Sequence, residues 1–155
     1  MQMDQIFKIE FLNENMLAKT KTEALDELVN TLIKGGLKLD SRKAIEVLQQ
    51  REKLGSTGIG DGLAIPHGKI SSLNEIVVAF GRSKKGVDFD SLDGKPVHIF
   101  FLLLAPENSV GQHLKVLAKI SKMFKKANFY QKLIETESKS NLYKLIIEQN
   151  ETCAL

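Results

Sequence analysis

Three histidines, His67, His98 and His113, are the side chains of this sequence best suited to nucleophilic chemistry near neutral pH. A neutral imidazole keeps one ring nitrogen lone pair, so it can attack phosphorus without a separate general base. His67 sits between Pro66 and Gly68, just after Gly55-Ser-Thr-Gly-Ile-Gly-Asp-Gly62, a stretch holding four of the chain's eleven glycines. Open backbone N–H groups in such a loop are suited to donate to an anion. A histidine beside a glycine-rich turn is equally a solvated loop residue, and spacing alone leaves both readings open.

His113 falls about one turn into a helix predicted to start after Ser109, with Leu117 and Ile120 at i+4 and i+7. Near a helix N-terminus the macrodipole disfavours a second positive charge. A neutral His113 suits donation to a phosphoryl oxygen or orientation of the His67 ring. The plain alternative is a core histidine bonded to backbone. His98 opens a predicted strand and reads as structural. Arg51 lies in the last turn of a helix ending near Leu54, within reach of the next loop. Its guanidinium offers paired donors to the oxygens of a phosphoryl group in transfer; as an exposed helix-end arginine it would simply favour the dipole.

Other motifs fail on spacing. Gly62-Leu-Ala-Ile-Pro-His-Gly68-Lys69 has five residues between its glycines, and Ile70 stands where a P-loop needs Ser or Thr for Mg²⁺. Gly58-x-Gly60 and Gly60-x-Gly62 lack the third glycine of a dinucleotide fingerprint. The histidines are 31 and 15 residues apart with no Cys or acidic partner at ligand spacing, so no metal site is expected. A hydrolase would need an activated water, and Asp61 is the only acidic residue close to His67 in sequence.

These residues need a scaffold. Thr20 with Glu23 forms a possible capping box before Ala24, Leu25, Leu28, Leu32 and Ile33, and Gly35-Gly36 stops that helix. Asp40 or Ser41 caps a second, with Ala44, Ile45 and Leu48 on its buried face. Segments 75–82 and 97–104 read as strands joined through the Asp93-Gly94-Lys95-Pro96 turn. Ser109 is expected to cap a helix running to about Lys126, with Val110, Leu114, Leu117 and Ala118 on one stripe and His113, Leu117, Ile120 and Phe124 on the next. Asn128 and then Ser138 or Ser140 start two short helices. The order predicts a single α/β domain over residues 1–155, a mixed β-sheet flanked by helices on both faces.

Composition narrows the setting. With 43% hydrophobic and 26% charged residues the chain is of ordinary globular type. A net charge of +3, with lysines spread and no dense aromatic-interleaved run, argues against nucleic acid. The longest apolar run is too short for membrane insertion, and the N-terminus carries no secretory signal. The one cysteine, Cys153, forms no internal disulfide and reads as an unused tail thiol, so a cytoplasmic location is expected.

The segment from Arg51 to Lys69, REKLGSTGIGDGLAIPHGK, closely resembles the active-site segment of the fructose/mannitol-type (type 2) enzyme IIA proteins of the bacterial phosphoenolpyruvate:sugar phosphotransferase system, and most of all the nitrogen-regulatory branch. The likeness continues through VHIFFLLLAP and GQHLKVLAKIS and so covers nearly the whole chain. It implies that His67 is phosphorylated, on Nε2, by a histidine-containing phosphocarrier protein. It also implies that His113 is the second active-site histidine and that Arg51 neutralises phosphate charge. Ser56, Thr57 and Gly58 lie in the matching loop as phosphate support. Asp61 stands where close relatives have asparagine; pointing inward it would weaken phosphate affinity, pointing outward it is solvated. No cofactor is implied. The phosphoryl group would pass to regulatory target proteins or, in a sugar-uptake role, to a IIB protein. An exposed apolar rim around His67, to which Val110 could contribute, is expected for docking.

Overall fold

The computed structural model describes residues 2–109 and 111–153. A short helix α1 (Met3–Ile6) and a 3-10 turn (Ile9–Phe11) lead into strand β1 (Leu12–Asn13). Two helices follow, α2 (Lys21–Lys34) and α3 (Ser41–Lys53). Thr20 caps α2 by accepting the Glu23 N–H at 3.3 Å, while the Glu23 carboxylate returns to the Lys19 amide at 2.8 Å. Asp40 caps α3 through the Lys43 amide at 3.2 Å. Each cap satisfies a donor the helix leaves unpaired.

The sheet comprises β1, β2 (Gly58–Gly60), β3 (Leu63–Ala64), β4 (His67–Lys69), β5 (Val77–Val87) and β6 (Val97–Ala105). Its order is β1-β5-β6-β3-β2, with β4 also on β6. β5 and β6 are antiparallel, and β1–β5, β3–β6 and β4–β6 are parallel, so the sheet is mixed as expected. β3 and β4 form one interrupted line along β6, beside Ile99–Phe100 and then Leu103–Ala105. The interruption falls at Pro66, which has no N–H to give to a ladder; its carbonyl still accepts the Leu103 amide at 2.9 Å. His67 therefore follows the short strand β3 and opens β4.

Helices α4 (Gln112–Met123), α5 (Phe129–Glu135) and α6 (Lys139–Thr152) complete the fold. The two sheet faces are told apart by strand alternation. A Cβ on Gly81 would press on Leu28 of α2 at 2.8 Å, and one on Gly68 on Val47 of α3 at 2.6 Å. Phe101, of opposite parity to the Phe100 that pairs Gly81, packs against Phe124 just past α4 with ring centres 5.8 Å apart. Thus α2 and α3 cover one face and α4 to α6 the other, and β6, buried along most of its length, runs between them.

Several boundaries differ from the sequence reading. Ser109 does not cap α4; its hydroxyl turns back to the Pro106 carbonyl at 2.7 Å, and Gly111 (φ 91°) is the N-cap. The α4 stripe in the core is Val116, Ile120 and Met123, with His113 and Leu117 partly buried; Leu114 and Ala118 face solvent, and Val110 lies outside the described residues. β5 runs past the polar Ser83-Lys84-Lys85 to Val87, because a register shift after Arg82 lets the exposed lysines continue the strand. α6 is fourteen residues long, not short, and Cys153 after it is buried rather than loose.

Arg82 on β5 points opposite to Gly81 and is 1% exposed. Its donors go to main-chain carbonyls: Glu14 at 3.1 Å, Leu133 at 2.9 Å, and Thr136 at the end of α5. Arg82→Met would leave these acceptors facing apolar atoms, so a loss of about 3 kcal/mol is expected. Denaturant titration checks this, and a change under ~0.5 kcal/mol would show the carbonyls are otherwise satisfied.

Candidate functional site

The site forms where α3 crosses β4. Gly68 has no side chain, so Val47 settles directly over it. Arg51 is four residues further along the same helix face and is thereby delivered to the neighbouring residue, His67. Arg51 Nε lies 3.3 Å from His67 Nε2, and Arg51 Nη1 donates to the Gly55 carbonyl at 3.0 Å.

The hydrogen bonds define the tautomer. His67 Nδ1 is 2.9 Å from the Ile65 carbonyl, which can only accept, so Nδ1 carries the proton. Nε2 faces the Arg51 N–H, which can only donate, so Nε2 holds the lone pair. His67 is half-buried, in a cavity of about 470 Å³ that His113, Arg51, Leu103 and Leu54 also line. His113, in the first turn of α4, sits with Nδ1 3.3 Å from the Ser109 carbonyl, so its own Nε2 is left for the cavity. Leu54, which lines the cavity, is 84% exposed, and Leu114, beside His113 in the chain, is 59% exposed.

Burial lowers the His67 pKa below the ordinary imidazole value. The Ile65 hydrogen bond and the Glu52 charge oppose this; the positive charge of Arg51 and electrostatic coupling to His113 reinforce it. The sign favours chemistry, since a lowered pKa keeps Nε2 unprotonated through neutrality and into mild acid. Titration of the His67 ring by NMR is therefore expected to give a midpoint below about 6.5; a midpoint at or above it would mean the ring is not desolvated as described.

The glycine loop behaves differently from the expectation of an anion cradle. The Ser56 hydroxyl donates to the Phe89 carbonyl at 3.2 Å and accepts the Gly58 amide at 3.1 Å. The Thr57 amide and hydroxyl both go to the carboxylate of Glu52. Ser56, Thr57 and Gly58 thus spend these donors on the protein. Asp61, held at φ 55°, is exposed, and its amide donates to Asp93 at 3.0 Å; it is a solvated loop residue. His98, on β6, places Nδ1 2.8 Å from the Ser83 carbonyl, in keeping with a structural role. Glu52 escaped the sequence reading although it carried a signal: it stands four and eight residues after Leu48 and Ala44, in register with the buried stripe. Among the described residues no group of three or more His, Cys, Asp or Glu is placed to hold a metal ion, and no helix is long and apolar enough to cross a membrane.

Comparison with known proteins bears on this arrangement. The profile of the family described as "Phosphoenolpyruvate-dependent sugar phosphotransferase system, EIIA 2" matches residues 5–149. The chain is 38% identical over 147 residues to the fructose-specific EIIABC component of Bacillus subtilis, covering 94% of this chain but only 23% of that longer protein. It is 43% identical over 107 residues to the nitrogen regulatory protein of Bradyrhizobium diazoefficiens, 69% of this chain and 70% of that one. The crystal structure of nitrogen regulatory protein IIA-Ntr from Neisseria meningitidis superposes with a TM-score of 0.84 at 34% identity, over 92% of this chain and 97% of that one.

Proposed function

The chain belongs to the type 2 EIIA family of the phosphoenolpyruvate-dependent sugar phosphotransferase system, and from that premise we propose that His67 Nε2 is the atom that receives the phosphoryl group and passes it on. One observation carries the assignment: Nδ1 is locked on the Ile65 carbonyl while Nε2 opens towards Arg51 and the cavity shared with His113. As a phosphohistidine on the donor approaches, the Nε2 lone pair forms a new P–N bond and the donor's P–N bond breaks. The donor imidazole leaves with the electron pair, and no proton need move. Arg51 gives up its contact to Nε2 and turns its N–H groups to the phosphoryl oxygens, while His113 lines the cavity that receives the group. The donor is a histidine-containing phosphocarrier protein, and the exposed Leu54 and Leu114 are where it rests.

Downstream, the chain acts as a regulatory phosphocarrier whose state is read by target proteins. Similarity in sequence and fold to nitrogen regulatory proteins supports this role. The likeness to part of the Bacillus subtilis protein supports a second reading, sugar uptake through a IIB protein. Incubation with phosphoenolpyruvate, enzyme I and the phosphocarrier is expected to yield acid-labile, base-stable phosphate on the chain; no such label would defeat the proposal. Offering the labelled protein to IIB components separates the two roles, because rapid chase of label onto sugar would overturn the regulatory one.

A further inference from the structure

Glu52, in the last turn of α3, is 7% exposed. A carboxylate so buried needs partners. It accepts the Thr57 amide at 3.0 Å and the Thr57 hydroxyl, and pairs with Lys21 Nζ at 3.1 Å. The Thr57 carbonyl in turn accepts the Ile65 amide at 3.0 Å, and the Ile65 carbonyl accepts the Nδ1–H of His67 at 2.9 Å. An unbroken line of hydrogen bonds therefore runs from the buried carboxylate to the imidazole. The same residue acts on the other side: its carbonyl accepts the Gly55 amide at 3.1 Å, and the Gly55 carbonyl holds Arg51 Nη1 at 3.0 Å.

We infer that Glu52 is a positioning residue for phosphoryl transfer: its carboxylate fixes the Thr57 main chain, and through it the Ile65 carbonyl that decides which ring nitrogen of His67 carries the proton. Glu52 touches no reacting atom. The inference deepens the reading of His67 as acceptor and rests on it for its kinetic consequence. Its structural consequence stands apart, because a ring nitrogen is a nucleophile here only while its proton sits on the other one. When Thr57 drifts from Glu52, Ile65 is freed to move and the imidazole can turn or exchange tautomer, which withdraws the lone pair from the line of attack.

Glu52→Ala and Glu52→Gln separate positioning from bulk stability. The carboxamide of Gln keeps the Thr57 contacts with its oxygen and N–H and loses only the charge opposite Lys21. In the intact protein, ¹⁵N NMR of the ring is expected to show one tautomer, protonated at Nδ1. In Glu52→Ala the two ring nitrogen signals should move towards each other as both tautomers populate. With phosphorylated phosphocarrier as substrate, kcat should fall about tenfold at unchanged KM. Glu52→Gln should restore the single tautomer and most of the rate. If Glu52→Ala does not fold, Glu52→Asp, one methylene short of Thr57, is expected to show the same mixture. A wild-type tautomer in folded Glu52→Ala or Glu52→Asp would overturn the inference, as would failure of Gln to restore it. Absence of label in the unsubstituted protein would instead defeat the acceptor assignment, leaving the NMR comparison to decide the role of Glu52.

Discussion

Alanine at position 67 is expected to abolish phosphorylation by the phosphocarrier, by at least about 10³-fold and to below detection, with the fold intact. The expectation follows from how the three rings are held. His98, on β6, is turned to the Ser83 carbonyl of β5 and does not line the cavity. His113 does line it, but the guanidinium that must balance phosphoryl charge sits on His67 at 3.3 Å. An acceptor needs the lone pair and the cation together, and only His67 has both. The half-buried ring leaves a small void near the surface, so stability should change by no more than about 1–2 kcal/mol. Radiolabel incorporation with circular dichroism on the same sample checks both parts. Residual label at a tenth of the wild-type rate would mean that another residue accepts.

Arg51→Ala is expected to slow transfer about 10²-fold, the size of effect seen when one preorganised donor to developing charge is removed. Two consequences distinguish this from a packing defect. Arg51 lowers the His67 pKa through its positive charge, so removing it should raise the NMR titration midpoint of His67. Arg51→Lys should recover that electrostatic effect more fully than it recovers the rate, because an ammonium lacks the planar fork that pairs with two phosphoryl oxygens. A rate within threefold of wild type in Arg51→Ala would show that His113 and solvent already supply what the charge needs.

Much of this site was legible in the primary structure, for physical reasons that also mark where legibility ended. Arg51 was placed correctly because helix periodicity and the Gly55 stop define the last turn of α3. His113 was placed on the inward side of its helix because Leu117 and Ile120 share its face. The mixed sheet with helices on both faces followed from the order of periodic segments. The direction in which a loop aims its polar groups has no such periodic signature. Ser56, Thr57 and Gly58 occupy the expected stretch, yet their hydroxyls and amides turn to Phe89, Glu52 and Ser56. Ser109 looked like a cap because nothing in its type says that its hydroxyl prefers the Pro106 carbonyl. Glu52 is hard to place from its residue type, because a carboxylate ordinarily sits at the surface, although its spacing from Ala44 and Leu48 puts it inside.

The most direct test is to phosphorylate ¹⁵N-labelled protein and read the nitrogen–phosphorus coupling. Phosphorus joined to Nε2 of His67, with the proton still on Nδ1, is the predicted outcome. Phosphorus on Nδ1, on His113 or on a hydroxyl oxygen would contradict it.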